Sequence, residues 1–370
     1  MITGLNDGGA EAVLYRLCLA DQQNSHVVIS LQAEGKYGSL LNTAGITVHY
    51  MNMQRWLFTP VIIWRLARLL RQLGPDVVQT WMYHGDLIGG LAARAAGIRS
   101  VFWGMHNTTL EKGKTKRATI LVMRLNALLS GWIPKRIVSA SQKGVVVHQA
   151  LGYAKDKFRV VRYGYDLHQF APNLQARSTL RSALDIPDGM FVLGMVARFD
   201  PHKDPLNLIR ALGLLKQSGH DFRCLLIGSG MNDANVELIS WLDTNNVRAE
   251  VLLLGQRNDI PTVMNALDIH VLSSAYGEAF PNVLCEAMAC GTPCVTTDMG
   301  DAGVIVANTG WVVPAKSAKA LAQAMTFAVE EQGADPVAWE QRQKEARLHI
   351  LNNFFMEKMV DDYNRAWVEA

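Results

Sequence analysis

The chain has 370 residues, 49% of them hydrophobic and 19% charged, with 36 Lys+Arg, 33 Asp+Glu and a formal net charge of +3. That composition is ordinary for a soluble globular protein, and the length exceeds what one core organises, which predicts two domains. Cys18, Cys224, Cys285, Cys290 and Cys294 show no paired metal spacing, and an odd count without a secretory signal fits reduced thiols in a cytosol.

Taken in chain order, the first half alternates short apolar runs with amphipathic ones. Strands are predicted at 27–31, 47–50, 77–80, 100–103, 137–139 and 158–161, with helices between them, for example at 10–20 and 59–73. The Gly8-Gly9 pair precedes helix 10–20, reads as a tight turn needing positive φ, and lets backbone approach a ligand at the helix start. His106 follows strand 100–103 at its carboxyl end. The run 118–133 is broken by Arg124 and Asn126 and is too short to span a membrane.

Residues 164–190 hold Pro172, Asn173, Ser178, Pro187 and Gly189 and are predicted to contain the domain junction and the following approach to the second sheet. The second half repeats the alternation, with strands at 191–197, 224–227, 251–254, 269–272, 293–296 and 311–313. Such alternation means an α/β protein with parallel sheets covered on both faces.

Two constellations carry chemistry. Arg198 stands at the end of strand 191–197, Lys203 lies five residues on, and Asp204-Pro205 opens a helix over 206–217. Ligands of open α/β sheets sit outside the carboxyl ends of strands, and a guanidinium fork beside a point charge suits a diphosphate. The plainer alternative is solvated charges on a loop. Residues 278–286 then read Glu-Ala-Phe-Pro-Asn-Val-Leu-Cys-Glu after strand 269–272. Pro281 suits a first helical turn, 283–289 can continue the helix, and Gly291 with Pro293 can stop it. Backbone amides around Phe280, Pro281, Asn282 and Val283 could meet an anion while Glu278 and Glu286 accept from hydroxyls. An ordinary strand-to-helix turn would look similar. Cys285 and Cys290 fall in or at the end of that helix and read, with Cys294, as small buried hydrophobes.

Charge is unevenly spread. Residues 1–170 carry 20 Lys+Arg and 9 Asp+Glu, net +11, whereas residues 171–370 carry 16 and 24, net −8. A basic first half fits an anionic surface as partner. Arg65, Arg68 and Arg71 recur through helix 59–73, which reads as a sheet-flanking amphipathic helix. Four cations at Lys112, Lys114, Lys116 and Arg117 precede Leu121, Val122, Leu125, Leu128, Leu129 and Trp132, a pattern that suits contact with an anionic membrane. Nucleic acid is not expected: no stacking aromatics interleave the cations.

The ordered set of motifs resembles the retaining glycosyltransferases of family 4, which have the GT-B fold. It runs from Thr3-Gly4-Leu5 with Gly8-Gly9-Ala10-Glu11, through Ser139-Ala140-Ser141 and Tyr163-Gly164-Tyr165-Asp166, to Arg198 and Lys203. It continues with Gly228-Ser229-Gly230, Leu254-Gly255, Glu278 with Glu286, and Thr309-Gly310-Trp311. The resemblance implies two Rossmann-like domains facing a cleft. These are residues 1–164 on the acceptor and membrane side, with 354–370 packing back on them, and residues 165–353 binding the nucleotide sugar. Only Met1, Ile2 and Thr3 stand before the Gly4-Leu5 turn where the family has a full first strand, so that sheet is expected to be weakened there.

The resemblance assigns His106, Arg198, Lys203 and Glu278 to catalysis. His106 positions the donor sugar or stabilises charge, the two cations neutralise the departing diphosphate, and Glu278 accepts from sugar hydroxyls. Gly8, Gly9, Gly228, Gly255, Arg257, Ala279, Phe280, Pro281, Asn282, Val283 and Glu286 bind substrate, with Glu286 on the ribose and the loop at Gly255 and Arg257 by the base. No Asp-x-Asp motif occurs, so no metal and no cofactor is expected. The implied reaction is retaining transfer of a hexose or N-acetylhexosamine, from a UDP-linked donor, to a lipid-linked or saccharide acceptor in surface polysaccharide biosynthesis. The implied place is the cytoplasmic face of the membrane. The alternatives are a nonhydrolysing UDP-sugar epimerase of the same fold and a noncatalytic membrane-associated scaffold. A dinucleotide oxidoreductase lacks its Gly-x-Gly-x-x-Gly here.

Overall fold

The computed structural model describes residues 1–53, 60–106 and 117–368. The chain divides into two compact units, Met1–Gly164 together with Met356–Ala370, and Tyr165–Phe355.

The first unit carries strands β1 (Val27–Ser30), β2 (Thr47–Tyr50), β3 (Val78–Gln79), β4 (Val101–Met105), β5 (Arg136–Ser139) and β6 (Phe158–Val160). All pair in parallel, as β1-β2 and as β3-β4-β5-β6. Among the described residues, the bridges from Ile2 to Ser30 and to Trp81 join the two sets. β4 is buried throughout, which is why it reads as a continuous apolar run. Gly104 is required within it, because a Cβ there would lie 2.7 Å from the Thr80 carbonyl. The core gathers Ile29, Leu66, Leu87, Trp103, Ile137 and their neighbours.

The second unit is one six-stranded parallel sheet. Its strands are β7 (Phe191–Val196), β8 (Phe222–Ile227), β9 (Val251–Gly255), β10 (Ile269–Leu272), β11 (Cys294–Thr297) and β12 (Trp311–Val313). They lie in the order β12-β11-β10-β7-β8-β9. The chain therefore steps outward from β7 to β9, then returns to the other side of β7 for β10. That reversal opens a crevice at the carboxyl ends of β7 and β10. Helix starts follow from side-chain caps: Asn173, Asp204, Asn235, Ser317 and Asp335 each accept from a first-turn amide. Asp268 ties the amino end of β10 to neighbouring elements, taking Arg177 at 2.6 Å, Arg181 at 2.8 Å and the Val192 amide at 2.7 Å.

The α/β class with parallel sheets is borne out, and the predicted strands match the observed ones to within two residues at each end. Two local readings are corrected. Gly8 has φ −148°, an extended value open to any residue, so no positive-φ turn is formed there. Pro281 caps the helix Asn282–Ala289 from outside rather than standing in its first turn. Within residues 164–190, on the approach to the second sheet, the sequence reading leaves unremarked a helix, Leu174–Ala183. Lys112, Lys114 and Lys116, along with Asn107, Thr59 and the last two residues of the tail, lie outside the described residues. Among the described residues, no helix is long and apolar enough to cross a membrane.

Candidate active site

The crevice at the ends of β7 and β10 is built from loops fixed by their own hydrogen bonds. After β7, Asp200 accepts from the His202 amide at 3.0 Å and pairs with His202 Nδ1 at 2.6 Å. This bends the loop so that Lys203 turns inward. Asp204 follows in the left-handed region at φ 48°, a costly conformation for a residue with a side chain, and caps the helix Pro205–Gln217. After β10, Ser273 Oγ donates to the carbonyls of Lys203 and Asp204, each at 2.9 Å, and the Ala275 amide donates to the His202 carbonyl at 2.8 Å. The two loops are thus locked together.

Lys203 and Glu278 meet inside this frame. The ammonium bonds directly to Glu278 Oε1, and both side chains are largely shielded from solvent. Ser274 Oγ donates to the same oxygen at 2.7 Å. Burial works to raise the Glu278 pKa, but the Lys203 charge and the hydrogen bonds from Lys203 and Ser274 outweigh it and hold the carboxyl below its ordinary value. His270, buried within β10, is held neutral: burial and then the Lys203 charge bring its pKa to about 3. The Arg198 side chain remains 60% exposed, 4.0 Å from Asp200.

The other second-unit residues singled out in the sequence each have a defined setting. Gly228, after β8, has φ 138°, and a Cβ on it would lie 2.1 Å from the Ala197 carbonyl, so only glycine lets the two loops touch. Gly255 closes β9 at φ 62°. Arg257 is held two-pronged by Asp259, at 2.8 and 2.6 Å. The Ala279 carbonyl accepts from the Asp301 amide at 2.9 Å, and Phe280 packs edge-on against Phe354. Asn282 and Val283 open the eight-residue helix that carries Glu286, and Asn282 Oδ1 accepts from the Tyr165 hydroxyl at 2.5 Å.

Gly8, Gly9 and His106 belong to the first unit. Gly8 caps the helix Gly9–Ala20. His106 stacks flat on Trp81, with ring centres 4.4 Å apart, and its Nδ1 lies 2.6 Å from the Tyr163 hydroxyl. Burial drives its pKa down to about 3, so the imidazole is neutral, and Nε2 has no partner among the described residues. Asp200, His202, Ser273, Ser274 and Trp81 were not anticipated, and Tyr163 was named only as part of a motif. The Asp200-x-His202 turn beside Lys203, and Ser274 four residues before Glu278, are the signals that could have revealed the first four.

Among the described residues, no cluster of three His, Cys, Asp or Glu could hold a metal ion. What the second-unit site offers is two cations, a helix start and two carboxylates at a strand-order reversal. That set suits a diphosphate joined to a polyol.

The fold is that of the GT-B glycosyltransferases: the structure of Anabaena HepE in complex with UDP-glucose matches over 100% of this chain and 98% of that one, with TM-score 0.85 at 20% identity. WaaG, a glycosyltransferase involved in lipopolysaccharide biosynthesis, matches 100% of this chain and 99% of that one with TM-score 0.68 at 16% identity. Residues 7–169 match the model of Glycosyltransferase Family 4 and residues 176–346 that of Glycosyl transferases group 1. The chain belongs to the family 4 glycosyltransferases and is an enzyme of that kind. It is 26% identical over 310 residues to the UDP-Gal:alpha-D-GlcNAc-diphosphoundecaprenol alpha-1,3-galactosyltransferase of Escherichia coli, covering 82% of this chain and 78% of that protein. It is 25% identical over 347 residues to the N,N'-diacetylbacillosaminyl-diphospho-undecaprenol alpha-1,3-N-acetylgalactosaminyltransferase of Campylobacter jejuni, covering 89% of each.

Proposed function

We propose that this enzyme moves a hexose or N-acetylhexosamine from a UDP-sugar to a lipid-linked saccharide, with retention at the anomeric carbon, in the assembly of a surface polysaccharide. The observation that carries the reading is the Lys203–Glu278 pair, with Arg198 on the same loop after β7, where the strand order reverses. The two relatives named for diphosphoundecaprenol-linked acceptors support the acceptor class, and the UDP-glucose complex of HepE supports the donor class.

In this reading the bond between the anomeric carbon and the diphosphate breaks while the acceptor oxygen bonds to the same face. The acceptor's hydroxyl proton passes to the departing phosphate oxygen. Lys203 and Arg198 meet the charge that grows on the diphosphate. One such contact, at about 4 Å and an effective dielectric near 20, carries a Coulomb term of roughly 4 kcal/mol. Glu278 accepts from sugar hydroxyls, and the amides of Ala279, Phe280, Asn282 and Val283 line the sugar and phosphate, with Pro281 setting the turn. Glu286 accepts from the ribose, and Gly228, Gly255 and Arg257 border the base. Gly8 and Gly9 serve the acceptor side, and the neutral His106 orients the donor sugar.

Residues 1–164 then form the acceptor and membrane side and residues 165–353 the donor side. The helix Arg117–Leu129 exposes Leu121 and Leu128, and Trp132 follows it, exposed. The helix Pro60–Leu73 exposes Val61 and Trp64 beside its arginines. Both pack on the helix Tyr83–Ala95, so they belong to one layer. Apolar tips among cations suit a peripheral seat on an anionic membrane, at its cytoplasmic face.

Calorimetry with UDP-, GDP- and ADP-sugars, on the wild type and on Arg198→Ala, tests the donor site. The expected result is binding of UDP-sugars alone, weakened in the variant. Absence of binding by any nucleotide sugar to the folded wild type would refute the reading.

A further inference from the structure

The loop after β7 carries an acid–histidine pair to which no role has yet been given. Asp200 Oδ1 accepts from the His202 amide at 3.0 Å and lies 2.6 Å from His202 Nδ1. Burial works to raise the Asp200 pKa. The hydrogen bonds and charge of His202, then the charge of Arg198, outweigh it and hold the carboxyl below its ordinary value. Asp200 is therefore a carboxylate that can only accept, so Nδ1 carries the proton and Nε2 is the nitrogen left to gain or lose one. Nε2 makes no hydrogen bond among the described residues, and the His202 side chain is 21% exposed.

The ring is fixed against the loop after β10. The Ala275 amide donates to the His202 carbonyl at 2.8 Å. Gly277, at φ 83°, has no side chain, and a Cβ there would lie 3.8 Å from His202 Cδ2. The imidazole therefore lies beside the bare backbone that leads into Glu278. The Tyr276 ring stands 6.2 Å from it on the same loop. The charged groups around His202 are Arg198, Asp200, Lys203 and Asp204 on its own loop and Glu278 on the facing one. Asp204 is engaged elsewhere, its Oδ1 accepting from the Asn207 amide at 3.3 Å. Two pairs thus stand side by side, His202 with Asp200 and Lys203 with Glu278. A diphosphate entering there adds negative charge, which favours the protonated ring.

We propose that His202 is a further donor-site residue: Nε2 takes a proton from solvent as the nucleotide sugar binds, and the imidazolium gives a charge-assisted hydrogen bond to a diphosphate oxygen. This rests on the donor site proposed above. No bond of the donor breaks in this step. The proton passes from the buffer to Nε2, while the Nδ1 proton stays with Asp200. The neighbouring groups do not supply the effect. Asp200 and Glu278 are held as carboxylates, Arg198 and Lys203 already carry their charge, and the Tyr276 phenol can release a proton but not gain one. His270, with its pKa brought to about 3 by burial and then by the Lys203 charge, stays neutral. The diphosphate of a nucleotide sugar is a diester and has no group that titrates near neutral pH, so a proton counted on binding belongs to the protein.

Titration calorimetry with UDP-glucose and with UDP-N-acetylglucosamine, in buffers of different ionisation enthalpy, counts that proton. The expected result is uptake of a fraction of a proton per site, with affinity falling at least about threefold between about pH 6.5 and 8.5. His202→Asn keeps an amide N–H where Nδ1 meets Asp200 but removes Nε2, and should abolish both effects. His202→Gln carries an uncharged N–H toward the place of Nε2, and should also bind without uptake. Thermal unfolding shows which variants keep the fold, and the wild-type count stands without them. Binding by the wild type without proton uptake would overturn the proposal, as would uptake of equal size in a folded variant. Failure of both UDP-sugars to bind the folded wild type would instead refute the donor site itself, and this inference with it.

Discussion

Glu278 is shielded from water and would be costly there as an anion without the ammonium of Lys203 and the hydroxyl of Ser274. Removing Lys203 alone strands a buried charge, so Lys203→Ala is expected to lose about 3–5 kcal/mol of stability in denaturant unfolding. Lys203→Met combined with Glu278→Gln should recover most of that while leaving the enzyme inactive. Arg198 offers the cleaner test of chemistry because its side chain is 60% exposed. Arg198→Ala should leave stability within about 0.5 kcal/mol and lower kcat by about 10²–10³. His106 sets an acid limit. Its folded pKa of about 3 lies below the unfolded value near 6.5, so the unfolded chain takes up the proton first and stability falls as pH drops from about 6.5 toward 3. Thermal unfolding of His106→Phe should show a flatter decline across that range; an unchanged slope would remove His106 from the account. Glu278, with its lowered pKa, acts in the same direction below the ordinary carboxylate range. Lys203 and Glu278 were legible in sequence because a strand end brackets each. Ser274 and the Asp200–His202 turn were not, since short polar residues populate any loop and only the fold shows which ones aim inward.

At the scale of elements, parallel strands buried on both faces announced themselves as apolar runs, which is why β7 and β10 were placed almost residue for residue. The helix Leu174–Ala183 escaped notice because Leu180 is its one buried side chain, leaving little apolar period to read. Exposure also separates the two basic helices less sharply than sequence suggested. Pro60–Leu73 buries Leu66, Ala67 and Leu70 as a sheet-flanking helix should, yet it leaves Trp64 58% exposed, while Leu128 in the other helix is 81% exposed. The membrane seat proposed above would therefore involve both. Cosedimentation with vesicles containing anionic lipid should fall about tenfold or more for Leu128→Glu combined with Trp132→Glu, and should weaken with added salt. UDP-sugar binding should be unchanged. Equal cosedimentation of variant and wild type would exclude this face.

Across the whole molecule, what the sequence carried best was order. Motifs that are weak singly fell in the family's succession over both halves, and the family models match the same two stretches. Charge is as uneven as the division of labour proposed, with net +11 over residues 1–170 and −8 over residues 171–370. The central claim is transfer from a UDP-sugar to a lipid-linked acceptor at the β7 and β10 crevice. Its most direct test incubates wild type and Arg198→Ala with radiolabelled UDP-hexoses and UDP-N-acetylhexosamines plus a diphosphoundecaprenol-linked saccharide, and measures label passing into the lipid phase. The account predicts labelled lipid from one donor with wild type, reduced at least about 100-fold in the variant. Conversion of the donor into another UDP-sugar without labelled lipid, or equal labelling by both proteins, would contradict it.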